Sequence, residues 1–188
     1  PGMELRDAIK FLYQSSMGGG HLIADPRGAL ARLEEEWDRT DGNPALPPTE
    51  PLGGGLCRLS LAACKGLGLA PSTVLALFLL GTEEFSRQPE RLDRSLELLY
   101  LLPFPSEEVG AAIRQYRAAG MTMVGHSAAY RRAFSPSYRV VLQSDAALLP
   151  LLTAIDRSRR EHPRTLAAID GPCATGKSTL GARLSQIY

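Results

Sequence analysis

Apolar positions recur at helical spacing along most of this chain. Leu5, Ile9, Leu12 and Tyr13 mark a first amphipathic helix, closed by Met17-Gly18-Gly19-Gly20-His21. Pro26 opens a second, with Leu30, Leu33 and Trp37 on one face and Glu34-Glu35-Glu36 mostly solvated. Residues 41–55, rich in proline and glycine, read as a long loop. Leu56-Cys57-Arg58-Leu59-Ser60-Leu61 alternates and predicts a short strand. Helices are predicted over 71–85, over 89–102, from Ser106 to Gly120 and from Ser127 to Phe134. Tyr138 to Leu142 reads as extended, and Asp145 starts a helix that reaches Glu161 before His162-Pro163. Thr165-Leu166-Ala167-Ala168-Ile169-Asp170 is an apolar run of strand length. Leu180, Leu184 and Ile187 then return to helical spacing.

Composition narrows the class. Hydrophobic residues make up 44% of the 188 and charged residues 22%, a balance that favours a packed core over disorder. A net charge of +1 gives no global field for nucleic acid or membrane, so neither is expected as a partner. The apolar run Val74 to Leu80 is too short to span a bilayer. Cys57, Cys64 and Cys173 form an odd set without C-x-x-C spacing, which argues against a disulfide framework or a zinc site and for a reducing cytoplasm. Arginine far outnumbers lysine, a bias read as genome composition ahead of phosphate recognition.

The sharpest chemistry lies near the carboxyl end. Gly171-Pro172-Cys173-Ala174-Thr175-Gly176-Lys177-Ser178 fits G-x-x-x-x-G-K-[ST], the phosphate-binding loop. Its glycines allow a tight backbone turn and close approach of an anion. Consecutive N–H groups then point inward as a nest. Lys177 adds a point charge, and Ser178 offers a hydroxyl to Mg²⁺. A strand-like run before the loop and a helix after it supply the context this motif needs, with the phosphate at the helix N-terminus.

IDGPCATGKSTLGARL, residues 169–184, resembles the opening segment of the nucleoside and nucleoside-monophosphate kinases. Asp170-Gly171-Pro172 followed by Gly176-Lys177-Ser178-Thr179 is similar to the start of cytidylate kinases and uridine-kinase-like proteins. The resemblance covers about twenty residues and implies ATP with Mg²⁺ as phosphoryl donor and a small nucleoside-like acceptor. It implies Lys177 as the catalytic holder of the donor phosphates and Ser178 as the metal ligand, with residues 171–179 around the nucleotide. The fold expected is a mainly α domain over residues 3–162. It is followed over 163–188 by the first strand (165–170), loop (171–178) and helix (178–187) of an α/β P-loop NTPase domain. Such a domain needs an acidic strand end, an acceptor pocket and an arginine-bearing lid downstream. The chain is therefore read as a piece of a longer protein with Met3 as natural start, and by itself it is expected to have negligible turnover. A lone parallel strand cannot leave its backbone groups unpaired in a core, so a loosely packed tail is expected. An alternative reading is a helical regulatory or ligand-binding module fused to a P-loop ATPase or GTPase. Neither reading fixes the oligomeric state.

Two further segments carry candidate chemistry. Gly18-Gly19-Gly20-His21 is either a helix C-cap and turn or a backbone cradle for an anion. Gly125-His126-Ser127-Ala128-Ala129-Tyr130-Arg131-Arg132, continuing to Ser137-Tyr138-Arg139, is either a helix start capped by Ser127 with solvated arginines or a phosphate- or nucleotide-binding set. The order GGGHL, GLCRLSL, GHSAAYRRAFSPSYRVV and then the loop is similar to an N-terminal extension ahead of some bacterial uridine-kinase-like proteins. That resemblance implies His21, His126, Tyr130 and Arg131 as candidates for one shared site, tested by whether they converge in a concave pocket.

Overall fold

The computed structural model describes residues 2–19 and 26–188. The chain is mainly helical, with one small antiparallel sheet. The first helix, α1 (Leu5–Met17), starts on a capping box in which Glu4 and Asp7 exchange side-chain and backbone bonds. After α2 (Pro26–Arg39) the chain forms a hairpin of β1 (Thr49–Gly53) and β2 (Leu56–Ser60). The expected loop over 41–55 thus contains an edge strand. Pro51 is tolerated there because only one side of β1 is paired, and Cys57 stands opposite it on β2. β2 is central, flanked on its other side by β3 (Tyr138–Leu142), with Cys57 opposite Val141.

A short helix, α3 (Leu61–Leu67), follows β2 without a break and is capped by Ser60, which accepts from Ala63 N. Next come α4 (Pro71–Glu84) and α5 (Pro89–Ser95), and a 3-10 segment continues α5 over Leu96–Leu101. Then follow α6 (Ser106–Ala118) and α7 (Ala128–Phe134). The helix expected from Asp145 to Glu161 is divided into α8 (Gln143–Ala146) and α9 (Leu149–Glu161). Pro150 explains the division, since it lacks the N–H that would continue the ladder. The last helix, α10, runs Lys177–Ile187.

Buried apolar residues form two clusters. One joins α2, the sheet, α3, α4 and α9 through Leu33, Leu59, Leu77, Val141 and Leu152. The other joins α1, α5, the 3-10 segment and α6 through Ile9, Leu92, Leu96 and Ile113. α4 packs across β3 and is apolar on nearly every side, as a helix between a sheet and other helices must be.

The segment 164–170 differs from the expected strand: it pairs with none of the three strands and is largely exposed. A parallel strand exists only through its neighbours, and no strand lies beside this one among the described residues. The expectation of a loose tail does not extend to α10. Leu184 and Ile187 are buried in the first cluster, and Arg183 is clamped by Asp145 and Glu84. Tyr188 Oη reaches Asp156, whose carboxylate also accepts from Ala70 N at 2.7 Å and Thr73 Oγ1 at 3.0 Å to cap α4.

Candidate functional site

Gly171 to Gly176 stand exposed ahead of α10, and Lys177 and Ser178 open the helix, with Lys177 the least exposed of the set. Gly171, Ala174 and Gly176 have φ of 150°, 60° and 82°. Gly176 sits in the left-handed region immediately before the first helical residue, a conformation that a Cβ makes costly. Thr175 Oγ1 donates to Pro172 O at 2.9 Å, and Gly171 N donates to Asp170 Oδ1 at 2.8 Å. The Lys177 ammonium folds back over the loop and donates to Gly171 O at 2.7 Å and Pro172 O at 2.5 Å. The cation therefore rests inside the bend, on neutral carbonyl acceptors. A phosphate oxygen at that position would be a stronger, charge-assisted acceptor. Ser178 and Thr179 are exposed in the first turn of α10, and a cleft of about 590 Å³ beside the helix reaches Gly176 and Thr179. Cys173 is also exposed on the loop. No group of three His, Cys, Asp or Glu side chains among the described residues is arranged to hold a metal ion.

The second set of expected residues is partly brought together. His126, Tyr130 and Arg131 lie on or next to α7, and His126 stacks on Tyr130 with centroids 4.2 Å apart. His126 and Arg131 line one cavity of about 420 Å³ with Lys10, Gly125, Ser135 and Pro136. His21 lies outside the described residues. Ser127 is the cap of α7, accepting from Tyr130 N at 3.0 Å, so the structural role expected for it is met.

Behind His126 lies a buried polar chain that the sequence does not announce. Asp7 is fully buried and accepts four bonds: from His126 Nδ1 at 3.1 Å, Ser127 N at 2.8 Å, Ser127 Oγ at 2.7 Å and Glu4 N at 2.9 Å. An ionised carboxylate only accepts, so Nδ1 of His126 carries the proton and Nε2 is left as an acceptor. Tyr138 Oη, 2.9 Å away, therefore donates to Nε2. Gln14 Nε2 then donates to Tyr138 Oη at 3.2 Å, and Arg58 donates to Gln14 Oε1 at 3.2 Å. Each donor thus fixes the next from Arg58 to Asp7, and the His126 tautomer and the Gln14 amide orientation follow from it.

Electrostatics agree with this order. Burial would raise the Asp7 pKa, but the bonds from Ser127, Glu4 and His126 outweigh it and hold the carboxyl below its ordinary value. Burial and the nearby Lys10 charge hold the His126 imidazole below its ordinary value, against the opposing bond to Asp7. Burial lowers the Lys10 ammonium as well, helped by Arg58 and Arg131. Burial raises the Tyr138 hydroxyl. Arg58 is itself buried, stacked 3.8 Å from the Phe11 centroid and 4.4 Å from that of Tyr138.

Of this polar chain the sequence singles out His126, Ser127 and Tyr138, and gives no sign of Asp7, Lys10, Gln14 or Arg58 as their partners. Asp7 occupies the third helical position, where an acid reads simply as a cap. Its decisive partner is 120 positions away. The one available signal was Arg58 in the middle of an otherwise apolar strand.

The chain has no significant match among protein-family models, curated proteins or solved structures. Among the described residues no helix is long and apolar enough to cross a membrane.

Proposed function

We propose that this chain carries the ATP-binding portion of a P-loop phosphotransferase, a nucleoside or nucleotide kinase of the uridine-kinase-like kind. What supports the reading is the conformation of residues 171–177: left-handed turns at Ala174 and Gly176 and a lysine already held over the bend. With ATP and Mg²⁺ bound, the nucleotide supplies the transferable phosphoryl group. Lys177 exchanges the Gly171 and Pro172 carbonyls for phosphate oxygens. The free N–H groups at the first turn of α10 supply donors and the positive end of the helix dipole to the phosphates. The Ser178 hydroxyl is offered to the metal. A small nucleoside-like molecule is the proposed acceptor.

Calorimetric titration with Mg-ATP tests the reading. The wild-type chain is expected to bind, and Lys177→Ala to bind at least about tenfold more weakly, the loss of one charge-assisted bond. Lys177 bonds only exposed carbonyls, so the variant keeps its fold. No heat with any nucleoside triphosphate in the wild type overturns the proposal.

A second reading, a ligand-binding helical module beside a P-loop ATPase or GTPase, draws its support from the cavity between α1 and α7. Nucleotide hydrolysis to water, with no transfer to uridine or cytidine in the protein that carries this chain, favours that reading over a kinase.

A further inference from the structure

Three cations gather where α1 meets α7: Lys10, Arg131 and the buried Arg58. Two carboxylates stand near them. Asp7 has both oxygens filled by four donors and makes no direct bond to Lys10. Glu50 is mostly exposed and reaches only Arg58, at 3.4 Å. Among the described residues neither Lys10 nor Arg131 has an ion-pair or side-chain hydrogen-bond partner, although both line the same 420 Å³ cavity. Arg58 Nε is buried with no partner, so this guanidinium too has an unmet donor. Lys10, half-buried and repelled by Arg58 and the exposed Arg131, bears the cost of this crowding through desolvation and like charge. An anion seated between them removes that cost.

We propose that this cavity is a second anion site, distinct from the P-loop, that binds a phosphate dianion, free or carried on a small phosphomonoester. Lys10 and Arg131 are its direct ligands. The Arg131 fork matches two phosphate oxygens and Lys10 supplies a point charge. Arg58, fixed between two rings, lines a neighbouring cavity and contributes only its field. His126 forms the wall and does not bond the ligand, because both its ring nitrogens are engaged by Asp7 and Tyr138. The volume exceeds that of a phosphate group and lies in the range of small-molecule sites, which leaves room for an organic portion.

The test is calorimetric titration of the whole chain with inorganic phosphate, ribose 5-phosphate and ribose. The background is Lys177→Ala, so that the loop contributes nothing. Ribose 5-phosphate or inorganic phosphate is expected to bind, ribose is not, and the tighter of the two anions identifies the source. Lys10→Gln and Arg131→Gln are each expected to weaken binding at least about tenfold. Neither side chain supports the fold, and an unchanged melting midpoint checks this. A second readout uses the amine itself. Lys10 is one of three lysines in the chain, and its modification by trinitrobenzenesulfonate, mapped by mass spectrometry, is expected to slow at least about fivefold with ligand present. Absence of binding by both anions overturns the site, as does binding that survives both substitutions. Anion binding seen only when Lys177 is intact assigns the ligand to the loop and equally overturns it.

Discussion

Gly66 shows how a single position can reverse a general rule. In an exposed helix, glycine to alanine is favourable by about 1 kcal/mol. Gly66 lies in α3, but a Cβ there would stand 2.4 Å from Pro44 N and 2.6 Å from Asn43 C, both backbone atoms. Gly66→Ala is therefore expected to destabilise by roughly 2 kcal/mol as the 43–44 segment is forced away. Urea unfolding reads the sign directly. The buried Asp7–His126 pair makes a pH-dependent contribution. Both groups titrate below their ordinary values when folded, so the unfolded chain binds more protons in each window. Stability is then complete above the ordinary histidine range. It falls as pH drops from about 6.5 through the lowered His126 value, and falls again below about 4 as Asp7 protonates. The upper step is expected to disappear in His126→Gln, measured as the urea midpoint across pH. Asp7→Asn removes the charge and turns one oxygen, which serves two of the four donors, into a donor facing donors; it is expected to cost about 3 kcal/mol at neutral pH.

Element by element, periodicity locates helices well and sheet edges poorly. α1, α2, α4, α6 and α10 follow from apolar spacing and from the prolines and glycines at their ends. β1 was invisible because Pro51 and the glycines after it have the composition of a loop. What makes residues 49–53 a strand is the ladder to β2. The reverse holds for 165–170, which has strand composition and no ladder. α10 is held by side chains whose partners the sequence does not indicate. Arg183 donates to Asp145 at 2.7 and 2.6 Å and also pairs with Glu84. Asp145 is buried, so Arg183→Ala leaves a carboxylate uncompensated. Hydrogen exchange is expected to show α10 amides protected to a degree comparable with α9 in the wild type, fast exchange across 164–171, and loss of α10 protection in Arg183→Ala. Equal protection of α10 in both proteins counts against the clamp.

For the molecule as a whole, the polar chain from Arg58 to Asp7 bridges the sheet to α1 and α7, and so ties the two apolar clusters together. Thiol chemistry gives a simple check on the packing. Burial pushes the Cys57 thiol up to about 11 and the Cys64 thiol up to about 12, whereas Cys173 is exposed on the loop. One thiol of three is expected to react promptly with a disulfide reagent in native buffer, and all three after denaturation. Mg-ATP is expected to slow the reactive one. Two fast thiols in the native protein contradict the buried placement.

The sequence by itself determined the helical character of the chain, the caps and breaks of its helices, and a turn of the G-x-x-x-x-G-K-[ST] pattern ahead of the last of them. Each of these is encoded within a few consecutive residues, through backbone conformation, side-chain spacing and local hydrogen bonding. Tertiary structure alone decided that residues 49–53 are a strand and 165–170 are not, that Asp7 orients His126, and that Lys10 faces Arg131 across a cavity. Those outcomes depend on partners many positions apart in the chain. Ladder pairing and the burial of charge take their energies from neighbours that only the folded chain supplies.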